Sequence, residues 1–207
     1  MATQVKLPTA AHTHTIIHLH GLGSNATEFA SEFFESQISD GRTLPEILPS
    51  IKWVFPTAPV VYSARFNVYM SQWFEMLSTF DPHDRLSTEP DKADRQLAAA
   101  AKDLMQIVKT EAKTIGYDHV FLGGISQGAA IALHCLLEEV RTPLAGFIGL
   151  STWLEKASRV DPVVCKHCMQ ANVFLGHAED DGVVDIKYGR EARDGLIELG
   201  CCVDLQE

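Results

Sequence analysis

The chain lacks a basic stretch. Its 17 Lys and Arg stand against 27 Asp and Glu, a net charge of -10, and no run of cations interrupts that balance. Nucleic acid is therefore a poor partner, because neutralising phosphates requires a basic surface. No apolar run approaches the roughly 20 residues needed to span a bilayer, so no transmembrane segment is expected. The opening Met1-Ala2-Thr3-Gln4-Val5-Lys6-Leu7-Pro8 has no apolar signal-peptide core, and Ala2 stands where myristoylation needs glycine. The 5 cysteines, an odd number, fit free thiols in a reducing compartment better than a disulfide framework, and the expected location is the cytoplasm. Cys165-Lys166-His167-Cys168 is a lone Cys-x-x-Cys pair without the further ligands zinc requires, and is expected to be ordinary thiols. Repeats, low-complexity tracts and interdomain linkers are also missing.

What remains is a 207-residue chain, 46% apolar and 21% charged, with enough core for one α/β domain over residues 1–207. Thr15-Ile16-Ile17-His18-Leu19 reads as a strand, followed by the turn His20-Gly21-Leu22-Gly23. Phe29 to Gln37 reads as a short helix, and Ile51 to Phe55 as a second strand stopped by Pro56. Thr57 to Pro90 is longer than an ordinary connection and predicts a functional loop or lid. From Asp91 to Thr114, Leu97, Ala101, Leu104, Val108 and Ala112 recur at helical spacing, and Gly116 ends the helix. Strands follow at 144–150, 172–176 and 202–205, with a helix from Ile186 to Leu199. Strands alternating with helices imply a mostly parallel sheet covered on both faces, with its site at the carboxyl ends of the strands.

Gly124-Ile125-Ser126-Gln127-Gly128 lies between the apolar run ending at Gly123 and the helix former Ala129 to Leu137. Strand, Gly-x-Ser-x-Gly, helix is the arrangement of a nucleophile elbow, whose turn is so tight that the residues two before and two after the serine must be small. Ser126 is thus the candidate nucleophile. A serine hydroxyl needs a base to take its proton and N–H donors for the oxyanion that forms on the attacked acyl group. The Gln127 N–H, at the helix start, is one candidate donor, and Leu22, between two glycines, is the other. The loop Phe174 to Val184 offers three neighbouring carboxylates, Glu179, Asp180 and Asp181, for the acid of a triad.

The chain resembles the phospholipase/carboxylesterase family that contains the acyl-protein thioesterases. His20-Gly21-Leu22-Gly23, Phe55-Pro56-Thr57-Ala58-Pro59, Gln72-Trp73-Phe74, Gly123 to Gly128 and Leu150-Ser151-Thr152-Trp153-Leu154 match its blocks in order over essentially the whole chain. The resemblance implies an α/β-hydrolase fold and hydrolysis of carboxylic esters or thioesters without metal or cofactor. The substrates it implies are acyl esters or thioesters, including lipidated proteins. The family's His-Gly-x-x-Asp-x-x-Val-Pro pattern points to Asp180 ahead of Val183, although His-Gly is here Gly176-His177 and Pro is Val184. Asp181 and Glu179 remain alternatives. Trp73, Phe74, Met76, Leu77 and Phe80 are expected either to line an acyl groove, with Trp73 and Phe74 binding substrate, or to form the underside of a lid.

The family's catalytic histidine follows the last strand, and no histidine follows Asp180 here. Only His177 lies near the right end of the sheet as a replacement base. The expectation is a C-terminal truncation that leaves the last strand and helix incomplete, uncovers apolar sheet surface and favours homo-oligomers. A catalytically impaired homologue that binds acyl ligands or a protein partner is the alternative to an active esterase. Losing a triad histidine costs on the order of 10⁶ in turnover.

Overall fold

The protein is described from a computed structural model covering residues 1–156 and 172–207. The first segment, β1 (Thr3–Lys6), pairs antiparallel with β3 (Ile51–Pro56), which runs parallel to β2 (His14–Leu19). β2 in turn pairs with β6 (Val120–Ile125), followed outward by β7 (Gly146–Leu150), β8 (Asn172–Gly176) and β9 (Cys202–Gln206), all parallel. The sheet order is β1-β3-β2-β6-β7-β8-β9. The chain leaves β2 toward one edge and returns to its other side at β6. That reversal opens a crevice at the carboxyl ends of β2 and β6, where ligands bind in open α/β sheets.

Side-chain alternation along β2 explains the two layers. Ile17 and Leu19 point into the larger core, with α3 (Lys92–Ile115) and α4 (Gln127–Glu138). Ile16 points to the other face, where α1 (Ala26–Glu35), followed in the chain by the short α2 (Leu44–Ile47), lays Ala26, Ala30, Phe29, Phe33 and Phe34 over Trp53 and Phe55. Asn25 starts α1 by accepting the Thr27 and Glu28 N–H groups on its side chain, each at 3.1 Å. The last helix, α5 (Ile186–Glu198), closes the larger core over β8 and β9 through Ala192 and Leu196. Phe174 of β8, on the strand's other side from Val173 and Leu175, is 39% exposed.

Residues 57–90 are not a free lid. They hold the hairpin of β4 (Val60–Ser63) and β5 (Val68–Ser71), then a connection fastened by buried side chains. Glu75 Oε1 accepts from Ala64 N at 2.9 Å, and its other oxygen pairs with Lys92 Nζ at 3.2 Å. Arg85 Nη2 donates to Glu155 Oε2 at 2.6 Å, and Tyr188 OH to Phe80 O at 2.8 Å. The short strands β1, β4 and β5 were not legible as strands because each is solvent-facing or confined to a hairpin, with little apolar alternation.

Candidate active site

Ser126 sits between β6 and α4 with φ +53° and ψ −126°, a backbone conformation that costs a non-glycine residue about 1–3 kcal/mol. Its surroundings enforce it. The Ser126 N–H donates to Leu150 O at 2.8 Å, and its carbonyl accepts from Ala130 N at 3.0 Å and Thr152 Oγ1 at 3.1 Å. The flanking glycines are required by space. A Cβ on Gly124 would lie 2.7 Å from Leu19 O, and one on Gly128 would strike His20 O and lie 2.5 Å from Leu19 O. The elbow therefore packs directly on the end of β2, and the serine is held at the crevice.

The loop after β2 passes beside it, so that a Cβ on Gly21 would come within 3.6 Å of Ser126 Cβ. Leu22 follows, and Gly23 adopts φ +84° with its N–H bonded to Ser71 O at 2.9 Å. Gln127 is the first residue of α4, so its N–H has no carbonyl one turn back within the helix. Leu22, Ser126 and Gln127 are thus brought to one place.

Trp73 and Phe74 are not placed to touch an acyl chain. Each is 1% exposed, and both belong to the core together with Met76. Trp73 Nε1 donates to His20 O at 2.8 Å, and Phe74 meets Trp153 edge-on. Their aromatic surface is spent on packing in the core rather than on a surface groove. Of the five apolar residues in that stretch, Phe80 is the one that stands out to solvent, at 82% exposure. It borders a cleft of about 520 Å³ shared with Asp180, Asp181, Val183 and Ile186.

The carboxylates after β8 differ sharply. Asp180 and Glu179 are exposed. Asp181 is folded into the loop: its Oδ1 accepts from Val183 N at 2.8 Å and Val184 N at 3.0 Å, and its Oδ2 lies 3.5 Å from His177 Nε2. Partial burial pushes the Asp181 carboxyl up. The N–H groups of Val184 and Val183, the Ser151 hydroxyl and His177 outweigh that and hold it below the usual range. Ser151 is the link to the nucleophile. It follows Leu150, which holds Ser126 N–H, and takes φ +46° with its own N–H on Gly176 O. The contact network around Ser126 therefore continues to Asp181, while Asp180, the sequence-based choice, is exposed.

The described histidines are committed elsewhere. His177 has a side chain only 1% exposed, donates through Nε2 to Val184 O at 2.7 Å, and packs so closely on α5 that a Cβ on Gly189 would lie 2.5 Å from its Nδ1. It organises the acid loop and does not reach Ser126 as a replacement base. His20 accepts the Ala58 N–H on Nε2 at 3.1 Å, which leaves Nδ1–H to donate to Gly21 O at 2.7 Å. His18 stacks on Phe29 and is buried to the point that its pKa falls to about 4. His14 and His119 face each other at 3.3 Å at the starts of β2 and β6, the far end of the sheet, and His12 bonds Thr15. His83 lies 3.9 Å from Glu155, and His134 is carried on α4. His167 and the Cys165–Cys168 pair lie outside the described residues. Among the described residues no three His, Cys, Asp or Glu side chains converge on a metal site.

Residues 1–206 match the phospholipase/carboxylesterase family. The chain belongs to that family. An acyl-protein thioesterase 1 of Neurospora crassa is 30% identical over 195 residues, covering 92% of this chain and 76% of the relative. The corresponding protein of Cryptococcus neoformans var. neoformans is 29% identical over 193 residues, with the same coverage. Among solved structures, Zea mays acyl-protein thioesterase 2 superposes with a TM-score of 0.77 at 27% identity, covering 99% of this chain and 88% of that one. The architecture is that of an α/β hydrolase, and the family places the chain among serine hydrolases of carboxylic esters and thioesters. Among the described residues no helix is long and apolar enough to cross a membrane.

Proposed function

We propose that the protein cleaves acyl esters or thioesters through an acyl-enzyme on Ser126, with the Leu22 and Gln127 N–H groups as oxyanion donors and Asp181 as the acid. The observation that carries this reading is the strained Ser126 backbone, held at the sheet's reversal with the Leu22 loop alongside. Ser126 Oγ attacks the acyl carbon as its proton passes to a base, and the carbonyl oxygen becomes an oxyanion facing the two N–H donors. Collapse expels the thiol or alcohol, and water then releases the acid and regenerates the serine. Asp181 serves to orient and stabilise a protonated base, which requires a carboxylate that stays ionised. The groups holding its carboxyl low keep it so. Thioesterase relatives favour an S-acylated protein as substrate. The described cysteines Cys135 and Cys202 are free thiols, which supports a reducing, cytoplasmic setting.

A second reading is favoured by one observation: every described histidine is bonded or packed away from Ser126. On that reading the protein binds acyl groups without turning them over. A fluorophosphonate probe separates the two. Labelling that disappears in Ser126→Ala supports the hydrolase, and a folded protein that takes no label supports the binder.

A further inference from the structure

The two proposed oxyanion donors lie on different parts of the chain, Leu22 on the loop after β2 and Gln127 on α4. Nothing in the local sequence of either fixes their spacing. The structure joins them through a third segment that the reaction itself does not use. Gln127, fully buried, accepts the Trp73 N–H on Oε1 at 2.9 Å and donates through Nε2 to Phe74 O at 2.8 Å. The Trp73 indole then donates to His20 O at 2.8 Å. The His20 ring, tilted against the Trp73 rings at 5.1 Å, bonds Gly21 O and Ala58 N. Ser71 O holds the Gly23 N–H.

We propose that Gln127, Trp73 and His20 are positioning residues. Their side chains form a strut across residues 71–74 that sets the separation of the Leu22 and Gln127 N–H groups. The physical case rests on saturation and burial. Both polar ends of the Gln127 amide are used, and Trp73, His20 and Gln127 are each at most 1% exposed, so water cannot replace a lost bond. Burial also keeps His20 neutral by lowering its pKa, which preserves the Nε2 acceptor that Ala58 needs. An oxyanion hole gains from donors fixed before charge develops, and loses much of that gain when one donor drifts. Gln127 therefore acts twice, by its main-chain N–H toward substrate and by its side chain toward the loop carrying the other donor. This also accounts for the buried Trp73, whose indole N–H spans from the strut to the loop after β2.

The inference rests on the hydrolase reading, and its test is chosen to fail separately from it. Trp73→Phe removes the indole N–H and leaves His20 O without that donor. Gln127→Glu keeps the acceptor for Trp73 N but sets a carboxylate oxygen against Phe74 O. In an enzyme that turns over a p-nitrophenyl acyl ester, each variant is expected to lower kcat about tenfold with KM unchanged, and Trp73→Phe, which adds no titratable group, to leave the pH profile unchanged as well. Affinity for a trifluoromethyl ketone, which mimics the tetrahedral oxyanion, is expected to fall by the same factor. A variant with lowered thermal stability and unaltered kcat would overturn the proposal. If the wild-type protein neither hydrolyses ester nor labels, the hydrolase reading fails, and amide hydrogen exchange still reads the strut. In Trp73→Phe the Gly23 and Ala58 amides are then expected to exchange faster while those of β6 do not. Unchanged exchange at both overturns the strut.

Discussion

Ser126 and Asp181 both stand at carboxyl ends of strands in the same sheet, two strands apart, yet they are held by different means. The serine is fixed by contact between backbones. Gly124 and Gly128 press on Leu19 and His20 with no room for a methyl group, and the left-handed serine between them is the consequence. Asp181 is fixed by hydrogen bonds in an open loop, where Val183 is 60% exposed and a Cβ on Gly182 would meet nothing within 4 Å. A steric constraint restricts which residues are allowed, so it is written in the sequence as glycines. A hydrogen-bonded loop restricts only which of several similar carboxylates turns inward, and three adjacent acids look alike until the loop closes.

The sharpest way to break this contrast is at the acid. Where Ser126 turns over ester with a base that Asp181 orients, Asp181→Asn is expected to lower kcat on the order of 10⁴, because an amide cannot stabilise that protonated base, whereas Asp180→Asn should change it by less than about threefold; without such a base neither variant changes it. Steady-state kinetics on both variants decide it, and the reverse ranking would return the role to Asp180. Next in size is the backbone contact. Gly128→Ala is expected to destabilise the protein by at least about 3 kcal/mol, since its new methyl meets carbonyl oxygens that cannot move aside, while Gly182→Ala should stay within about 0.5 kcal/mol. Urea unfolding of the pair measures how differently the two regions tolerate one carbon.

Acid should separate the regions too. His18 is neutral in the fold with a pKa of about 4, against 6.5 in the unfolded chain. The unfolded state then binds the extra proton, so this contribution is complete above pH 6.5 and is lost as pH falls toward 4, by about 2–3 kcal/mol. Both ring nitrogens lack a hydrogen-bond partner among the described residues, and the ring stacks between Phe29 and Phe33. His18→Phe should therefore fold as well at neutral pH and flatten the stability profile between pH 6.5 and 4, as read by thermal unfolding. Asp181 acts in the same direction but in a lower window: its folded pKa is also depressed, so its contribution is complete above the unfolded value of 3.8 and is lost only below it.

Particular residues show how unevenly the geometry was legible in the sequence. The elbow at Ser126 and the glycine turn at Leu22 were legible because strand, glycine turn and helix follow one another locally. Asp181 was obscured by a repeated residue: Val183-Val184 lets both Asp180 and Asp181 satisfy Asp-x-x-Val. Counting from His177 instead runs to Asp181 and Val184, and His177 proves to be the residue that bonds that loop. Trp73 and Phe74 misled for another reason. Aromatic residues in a long irregular stretch suggest a binding groove, but Gln127 and His20 draw these two into the core.

By itself, then, the sequence determined the parallel α/β sheet, the elbow and the loop of small residues facing it. The sheet follows from apolar periodicity over neighbouring residues, and the elbow is marked by the glycines that its contact with Leu19 and His20 demands. The tertiary structure decided which carboxylate turns inward, that the long connection is fastened rather than free, and that Trp73 bridges the two halves of the site. The last two depend on hydrogen bonds between residues more than fifty positions apart, such as Arg85 with Glu155 and Gln127 with Trp73, and the first on how the loop after β8 closes on Ser151 and on its own neighbours. No local pattern records such partners, because each is chosen only when the strands have taken their places.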